Sequence, residues 1–137
     1  LIVVDYLQAL QVRQEDAVRV TNTKDRVALQ VSALRRVARR LDSPVLCISS
    51  ENRAGYSSKQ LNVFKESGNI EYATDVAMVL SEDKENRPEP EAAYKNLDLS
   101  IIKNRNGECG LIKYKFYPKR AQFVETERGE LAEDEAA

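Results

Sequence analysis

Leu1-Ile2-Val3-Val4-Asp5-Tyr6 decides how this chain is read. Four aliphatic residues run straight into an aspartate, with no initiator Met. A continuous apolar run of this kind predicts a strand buried on both faces, as in a parallel sheet. An acidic residue at the carboxyl end of such a strand sits where open α/β sheets gather their ligand chemistry. A central strand also needs neighbours on both sides. The chain therefore reads as the C-terminal part of a larger α/β domain whose first half lies outside these residues.

Outward from that strand, the pattern alternates between helix and strand. Leu7 to Leu10 predicts a short helix, and Gln11 to Thr23 is polar enough for an exposed loop. From Lys24 to Leu41, the positions Val27, Val31, Leu34, Val37, Ala38 and Leu41 follow helical spacing and predict an amphipathic helix over one sheet face. Its other face carries Arg35, Arg36, Arg39 and Arg40, for which a solvated surface is the simpler reading. Asp42-Ser43-Pro44 stops the helix. Val45 to Ser49 predicts a second buried strand, with Cys47 as a small core residue. Lys59 to Glu66 predicts a short helix ended at Gly68, and Asp75 to Leu80 a third strand. Ser81 to Lys95 is charged, contains Pro88 and Pro90, and predicts a loop or disorder. Leu97–Lys103 and Leu111–Tyr117 flank Asn106-Gly107, a hairpin signal. Ile112, Tyr114 and Phe116 alternate with Lys113, Lys115 and Tyr117, which predicts one packed and one wet face. A short strand is expected at Gln122–Val124, then an acidic, disordered tail over 125–137.

Composition narrows the chemistry. The 137 residues suit one modest domain, 42% hydrophobic and 31% charged. No apolar run approaches a membrane span. The net charge of −1 gives no global argument for a polyanionic partner. The chain has no histidine, so it supplies no His-based triad, His general base or His-containing zinc site. Cys47 and Cys109 lack metal or redox spacing, which favours a reducing, cytoplasmic setting.

Four places carry candidate chemistry. Asp5, read as buried, wants a cation or hydrogen-bond donors, and Mg2+ on nucleotide phosphates is one such partner. Ser49, Ser50, Asn52 and Arg53 form the polar end of the second strand, where an adjacent parallel strand would bring them beside Asp5; taken alone, ordinary strand-to-loop polarity is the simpler reading. Lys103 and Arg105 enter the hairpin on one side of a strand and suit phosphate recognition, or else discourage edge pairing. Lys65-Glu66-Ser67-Gly68 joins a cation, a hydroxyl and a freed backbone, which suits a phosphodiester or simply a helix C-terminus.

Their order is more specific than any one of them. Strand–Asp5-Tyr6-Leu7-Gln8, the Arg-rich helix, Pro44 to Ser49 with Asn52-Arg53, then Lys65-Glu-Ser-Gly68 with Asp75, and finally Lys103-Asn-Arg-Asn-Gly107 closely resemble the C-terminal RecA-like motor domain of DnaB-type replicative DNA helicases. The resemblance spans residues 1–124. It implies an α/β fold, the C-terminal portion of a RecA-like P-loop NTPase domain, with a mainly parallel sheet and an antiparallel edge hairpin. It also implies an ATP-dependent helicase working as a homo-hexameric ring on single-stranded DNA, with Mg2+ as cofactor, primase and a helicase loader as partners, and a bacterial or phage replisome as its place.

Residue by residue, the resemblance makes Asp5 the Walker B aspartate supporting Mg2+, with Gln8 continuing that motif. Ser50 stands where the family usually senses the γ-phosphate with a longer glutamine, and Asn52 and Arg53 keep the motif beyond it. Lys65, Glu66 and Gly68 match a segment that touches the DNA backbone and usually begins with arginine. Lys103 and Arg105 match the basic pair that reaches a neighbouring subunit's nucleotide, Arg105 as an arginine finger. These residues contain no G-x-x-x-x-G-K-[ST] loop, so the isolated chain is expected not to hydrolyse ATP. Two rival readings are a recombinase- or clock-type ATPase of the same fold, and a non-catalytic paralogue that binds DNA or a helicase ring.

Overall fold

A computed structural model describes residues 1–11, 22–49 and 73–129. The chain divides into two compact units, Leu1–Thr74 and Asp75–Ala137.

In the first unit, β1 (Ile2–Asp5) pairs in parallel with β2 (Val45–Ile48), Ile2 opposite Val45 and Asp5 opposite Ile48. The crossover between them contains α1 (Thr23–Leu41). Asn22 caps its start by accepting the Asp25 N–H at 3.0 Å, and Asp25 adds negative charge to the first turn. Asp42 ends the helix in the left-handed region at φ 45°, a position that favours glycine or asparagine. The core is small: Leu7, Val27 and Val31 are buried, with Leu10, Leu34, Cys47 and Ala73 packed against them. Buried Gln30 donates from Nε2 to the Leu10 carbonyl at 2.6 Å and ties the helix to the chain beyond β1.

The apolar runs predicted strands buried on both faces; in this unit they are buried on one. Ile2, Val4, Val45 and Cys47 are half-buried, whereas Val3, Leu46 and Ile48 are exposed. The period of two sends the first set toward α1, and among the described residues nothing covers the second. The helix shows a similar division along its length. Val27 and Val31 are buried, but Val37 and Leu41, expected on the packed face, are exposed.

In the second unit, four consecutive strands form an antiparallel sheet in the order β3-β4-β5-β6. They are β3 (Val76–Glu82), β4 (Lys95–Asn104), β5 (Gly110–Tyr117) and β6 (Gln122–Gly129). This corrects the expectation of a mainly parallel sheet with one antiparallel hairpin. Parallel pairing needs a crossover, and only β1 and β2 have one in the described residues. β3 instead turns back through residues 83–94, so its nearest partner in sequence runs the opposite way. Asp83 organises the start of that turn. Its carboxylate accepts the Glu85 and Asn86 N–H groups at 3.0 Å each and the Asn86 side chain at 2.9 Å. Part of the segment expected to be loop or disorder is thus a built turn. β6 also runs further than its expected end at Val124 and takes in Glu125–Gly129, five residues assigned to the tail.

β5 has no wet face: Gly110 to Tyr117 are all half-buried. Its polar side is covered by its own neighbours. Lys115 Nζ lies 4.8 Å from the Tyr94 ring centre, Tyr94 and Tyr117 are 5.7 Å apart, and Lys113 pairs with Glu127 at 3.5 Å. On the other side, Phe116 and Phe123 approach to 4.5 Å. β4 outreaches β5: the β4–β5 ladder stops at Ile101 opposite Gly110, while Lys103 and Asn104 pair only with Ala77 and Val76 of β3.

Candidate functional site

The parallel register brings the carboxyl ends of β1 and β2 side by side. Beyond β1 the chain passes through the Asp5–Tyr6 cis peptide into a 3-10 turn, Leu7–Ala9, anchored by buried Leu7. That turn aims Gln8 across the edge, where its Nε2 donates to Ser49 Oγ at 3.0 Å. Two chain segments forty-one positions apart are thereby joined beside Asp5. Ser49 lay in the polar run noted from the sequence, but nothing in that run marked it as the partner of Gln8. Pairing across a parallel edge becomes visible only with the register.

Asp5 itself is exposed. The expectation of a buried carboxylate in need of a cation is therefore corrected: on a sheet with one open face, water solvates it. An exposed carboxylate next to a hydroxyl and an amide still offers the hard oxygen donors that Mg2+ takes. That ion keeps several waters and uses one or two carboxylates together with phosphate oxygens. Among the described residues no cluster of three or more His, Cys, Asp or Glu side chains forms a self-sufficient metal site. The fit is that of a single supporting carboxylate. Burial pushes the thiol of Cys47, one strand away, up, which lowers its thiolate fraction.

The second candidate group lies in the other unit. Lys103 is half-buried near the end of β4, and Arg105 is the first residue of the connection to β5. That connection is longer than a two-residue Asn-Gly turn. Asn104 Nδ2 donates to the Glu108 carbonyl at 3.1 Å and closes it. Gly107 packs so closely that a Cβ there would lie 2.7 Å from Asn104 Nδ2. Any side chain at Gly107 must displace the amide that closes the loop. Arg105 is held twice by Asp75: its N–H donates to the Asp75 carbonyl at 2.9 Å, and its guanidinium meets the carboxylate at 2.6 Å. The sequence contained Asp75 without marking it as the partner of Arg105.

Asp5, Gln8 and Ser49 are thus brought together in one unit, and Lys103 and Arg105 in the other. Ser50, Asn52, Arg53, Lys65, Glu66 and Gly68 lie outside the described residues.

Compared with known proteins, residues 1–125 match the family model described as DnaB-like helicase C terminal domain. The chain belongs to that family. This DnaB-like domain is 32% identical over 136 residues to the "Replicative DNA helicase DnaC" of Bacillus subtilis (strain 168). It is 29% identical over 134 residues to the "Replicative DNA helicase DnaB" of Geobacillus stearothermophilus. Each alignment covers 93% of this chain but only 28% of the relative. Among solved structures, the DnaB-like domain superposes on an ATPase domain with TM-score 0.74 at 25% identity, covering 91% of this chain and 44% of that one. A DnaB-like replicative helicase, studied with its interactions with primase, gives TM-score 0.73 at 25% identity, covering 91% and 30%. The DnaB-like domain therefore has the RecA-like fold of these ATPase domains. No helix among the described residues is long and apolar enough to cross a membrane.

Proposed function

We propose that this DnaB-like domain is part of a cytoplasmic, ATP-dependent replicative helicase that unwinds duplex DNA by translocating on single-stranded DNA as a homo-hexamer. ATP with Mg2+ would be its cofactor, and primase and a helicase loader its partners. The observation that carries this reading is the family match over residues 1–125, the span that contains Asp5, Lys103 and Arg105.

The roles are those the resemblance implies, and geometry and charge support the ones assigned to Asp5, Gln8, Lys103 and Arg105. Asp5, exposed at the end of β1, would help hold Mg2+, which would neutralise phosphate charge there. Gln8, bonded to Ser49, links that carboxylate's neighbourhood to the segment after β2, where Ser50, Asn52 and Arg53 sense nucleotide. Lys103 and Arg105 serve a neighbouring subunit's nucleotide. Arg105 places its guanidinium on the transferring phosphoryl group, where charge develops. The Asp75 carboxylate holds that guanidinium in the isolated chain. Both side chains are about half exposed or more, at 49% and 67%, so the pair is worth less than about 1 kcal/mol and gives way readily to a phosphate. Lys65, Glu66 and Gly68 contact the DNA backbone. The isolated chain, without a phosphate-cradling loop, hydrolyses negligible ATP.

Arg105→Ala in the full-length protein tests this reading. In a verified ring, ATP hydrolysis should fall roughly a thousandfold or more with nucleotide binding largely kept. Normal hydrolysis would refute the finger role. Separation of a forked duplex by the wild-type protein distinguishes a helicase from a recombinase-like ATPase.

A further inference from the structure

Four of the five arginines of α1, those in its C-terminal half, change meaning once their surroundings are known. Arg35, Arg36, Arg39 and Arg40 are all exposed. At 100° per residue they fall within an arc of about 140°, centred about 130° from the direction of Val27 and Val31 with Arg35 at its near edge, and span about 7.5 Å along the axis. Arg36 Nη1 donates to Ser32 Oγ at 3.1 Å. None of the four has a carboxylate within ion-pair distance among the described residues. On the antiparallel sheet, by contrast, Lys95, Arg105, Lys113 and Arg128 each have one.

A merely solvated helix face normally carries mixed charge at i,i+4 spacing. Here Arg35–Arg39 and Arg36–Arg40 are like-charge i,i+4 pairs, which oppose helix formation. The negative end of the helix dipole offsets part of this for Arg39 and Arg40, but Arg35 and Arg36 lie further from it. Val37 and Leu41 beside them are exposed as well, so among the described residues nothing covers this face, although Leu34 and Ala38 on the other side are half-buried. The positive residues are all arginine, the side chain whose planar fork takes two phosphate oxygens at once.

We infer that the C-terminal half of α1 is a nucleic-acid contact surface, distinct from the segments proposed above to touch DNA. It takes the phosphodiester backbone of a single strand without reading its sequence. Successive phosphates would lie between the Arg35–Arg39 and Arg36–Arg40 rows and relieve the repulsion that the bare helix carries. The choice of a single strand rests on the proposed helicase function; the anion-binding surface itself does not.

The test is to replace Arg35, Arg36, Arg39 and Arg40 together with Gln in the full-length protein. A second variant carries Lys at all four positions. Glutamine has similar helix propensity and removes the repulsion, so the fold is kept, and a circular dichroism melt checks this. Binding of labelled oligothymidylate is followed from about 50 to 200 mM salt. The Gln variant should bind roughly tenfold or more weakly at the low end, with a salt slope shallower by about 0.7 for each phosphate that no longer meets a cation. The Lys variant should recover most of the slope. An unchanged affinity and slope in the folded Gln variant would overturn the inference. So would loss of polyglutamate binding alone, which would mark an acidic-peptide site. A loss confined to duplex DNA would overturn the single-strand assignment. Strand separation by the wild-type protein is measured in parallel. An intact helicase with an unchanged slope sinks only this inference, while a changed slope in a protein that separates no strands sinks only the proposed function.

Discussion

The two units solve the same problem with different means. The first joins two parallel strands across some forty residues, and among the described residues its buried apolar side chains are Leu7, Val27 and Val31. The second pairs four strands in sequence order, and each connection is short enough for the next strand to zip onto the last. Closing a long loop costs entropy before any contact compensates for it, whereas a meander forms contacts as it goes. Stability should therefore be concentrated in the antiparallel sheet, while the first unit opens more readily.

The largest effect should come from Leu7→Ala, which removes a side chain only 2% exposed. About 2–4 kcal/mol should be lost. Native-state hydrogen exchange should show β1, β2 and α1 losing protection while β4 and β5 keep theirs. Uniform loss would mean that the units unfold together and would break the contrast. Next is Asp83→Ala, which leaves two backbone N–H groups and the Asn86 amide without an acceptor and should cost the sheet unit roughly 1–3 kcal/mol. Burial alone would push the Asp83 carboxyl up, but the hydrogen bonds from Asn86 and Glu85, with Lys113 nearby, hold it below the ordinary range. A depressed folded pKa contributes stability that is fully present above the unfolded value of about 4 and is lost as pH falls through the folded value. Urea midpoints measured down the acid range should fall less steeply in Asp83→Ala than in wild type; parallel curves would contradict the assignment.

A smaller change sharpens the comparison from the other side. Asp42→Gly relieves a left-handed residue at φ 45° and should stabilise the first unit by about 0.5–1 kcal/mol, seen as slower exchange in α1. The smallest is Lys95→Met. The Glu82 carboxyl, held down by its hydrogen bond to Lys95 and by that residue's charge, should titrate higher in NMR. Stability should move by less than about 0.5 kcal/mol, because both partners are half exposed.

Local signals in the sequence were read well. Helical spacing located α1, Asp42-Ser43-Pro44 ended it, and Asn106-Gly107 placed the β4–β5 connection. What failed was non-local. An apolar run such as Val3-Val4 is compatible with one or two covered faces, and only the surrounding elements decide between them. Val76 to Glu82 reads as a strand in either direction, and its partner on β4 fixes which. The same holds for the candidate site. Motif order singles out Asp5, Lys103 and Arg105 as candidates, but Ser49 and Asp75, the groups that hold Gln8 and Arg105, depend on register and on a turn's path. No residue type at those positions announces a partner.

The overhang of β4 past β5 has a mechanical consequence. From Ile102 onward the strand is braced on one side only, by β3, so Lys103 and Arg105 ride on a cantilever rather than on the body of the sheet. Two-stranded ribbons twist more freely than wider sheets. The register shift between Ala77 and Met78 falls just where the arm begins. A small rotation of the sheet would be amplified at the tip, so the compliance of the Arg105 guanidinium resides in the strand pairing as well as in the loop that follows it.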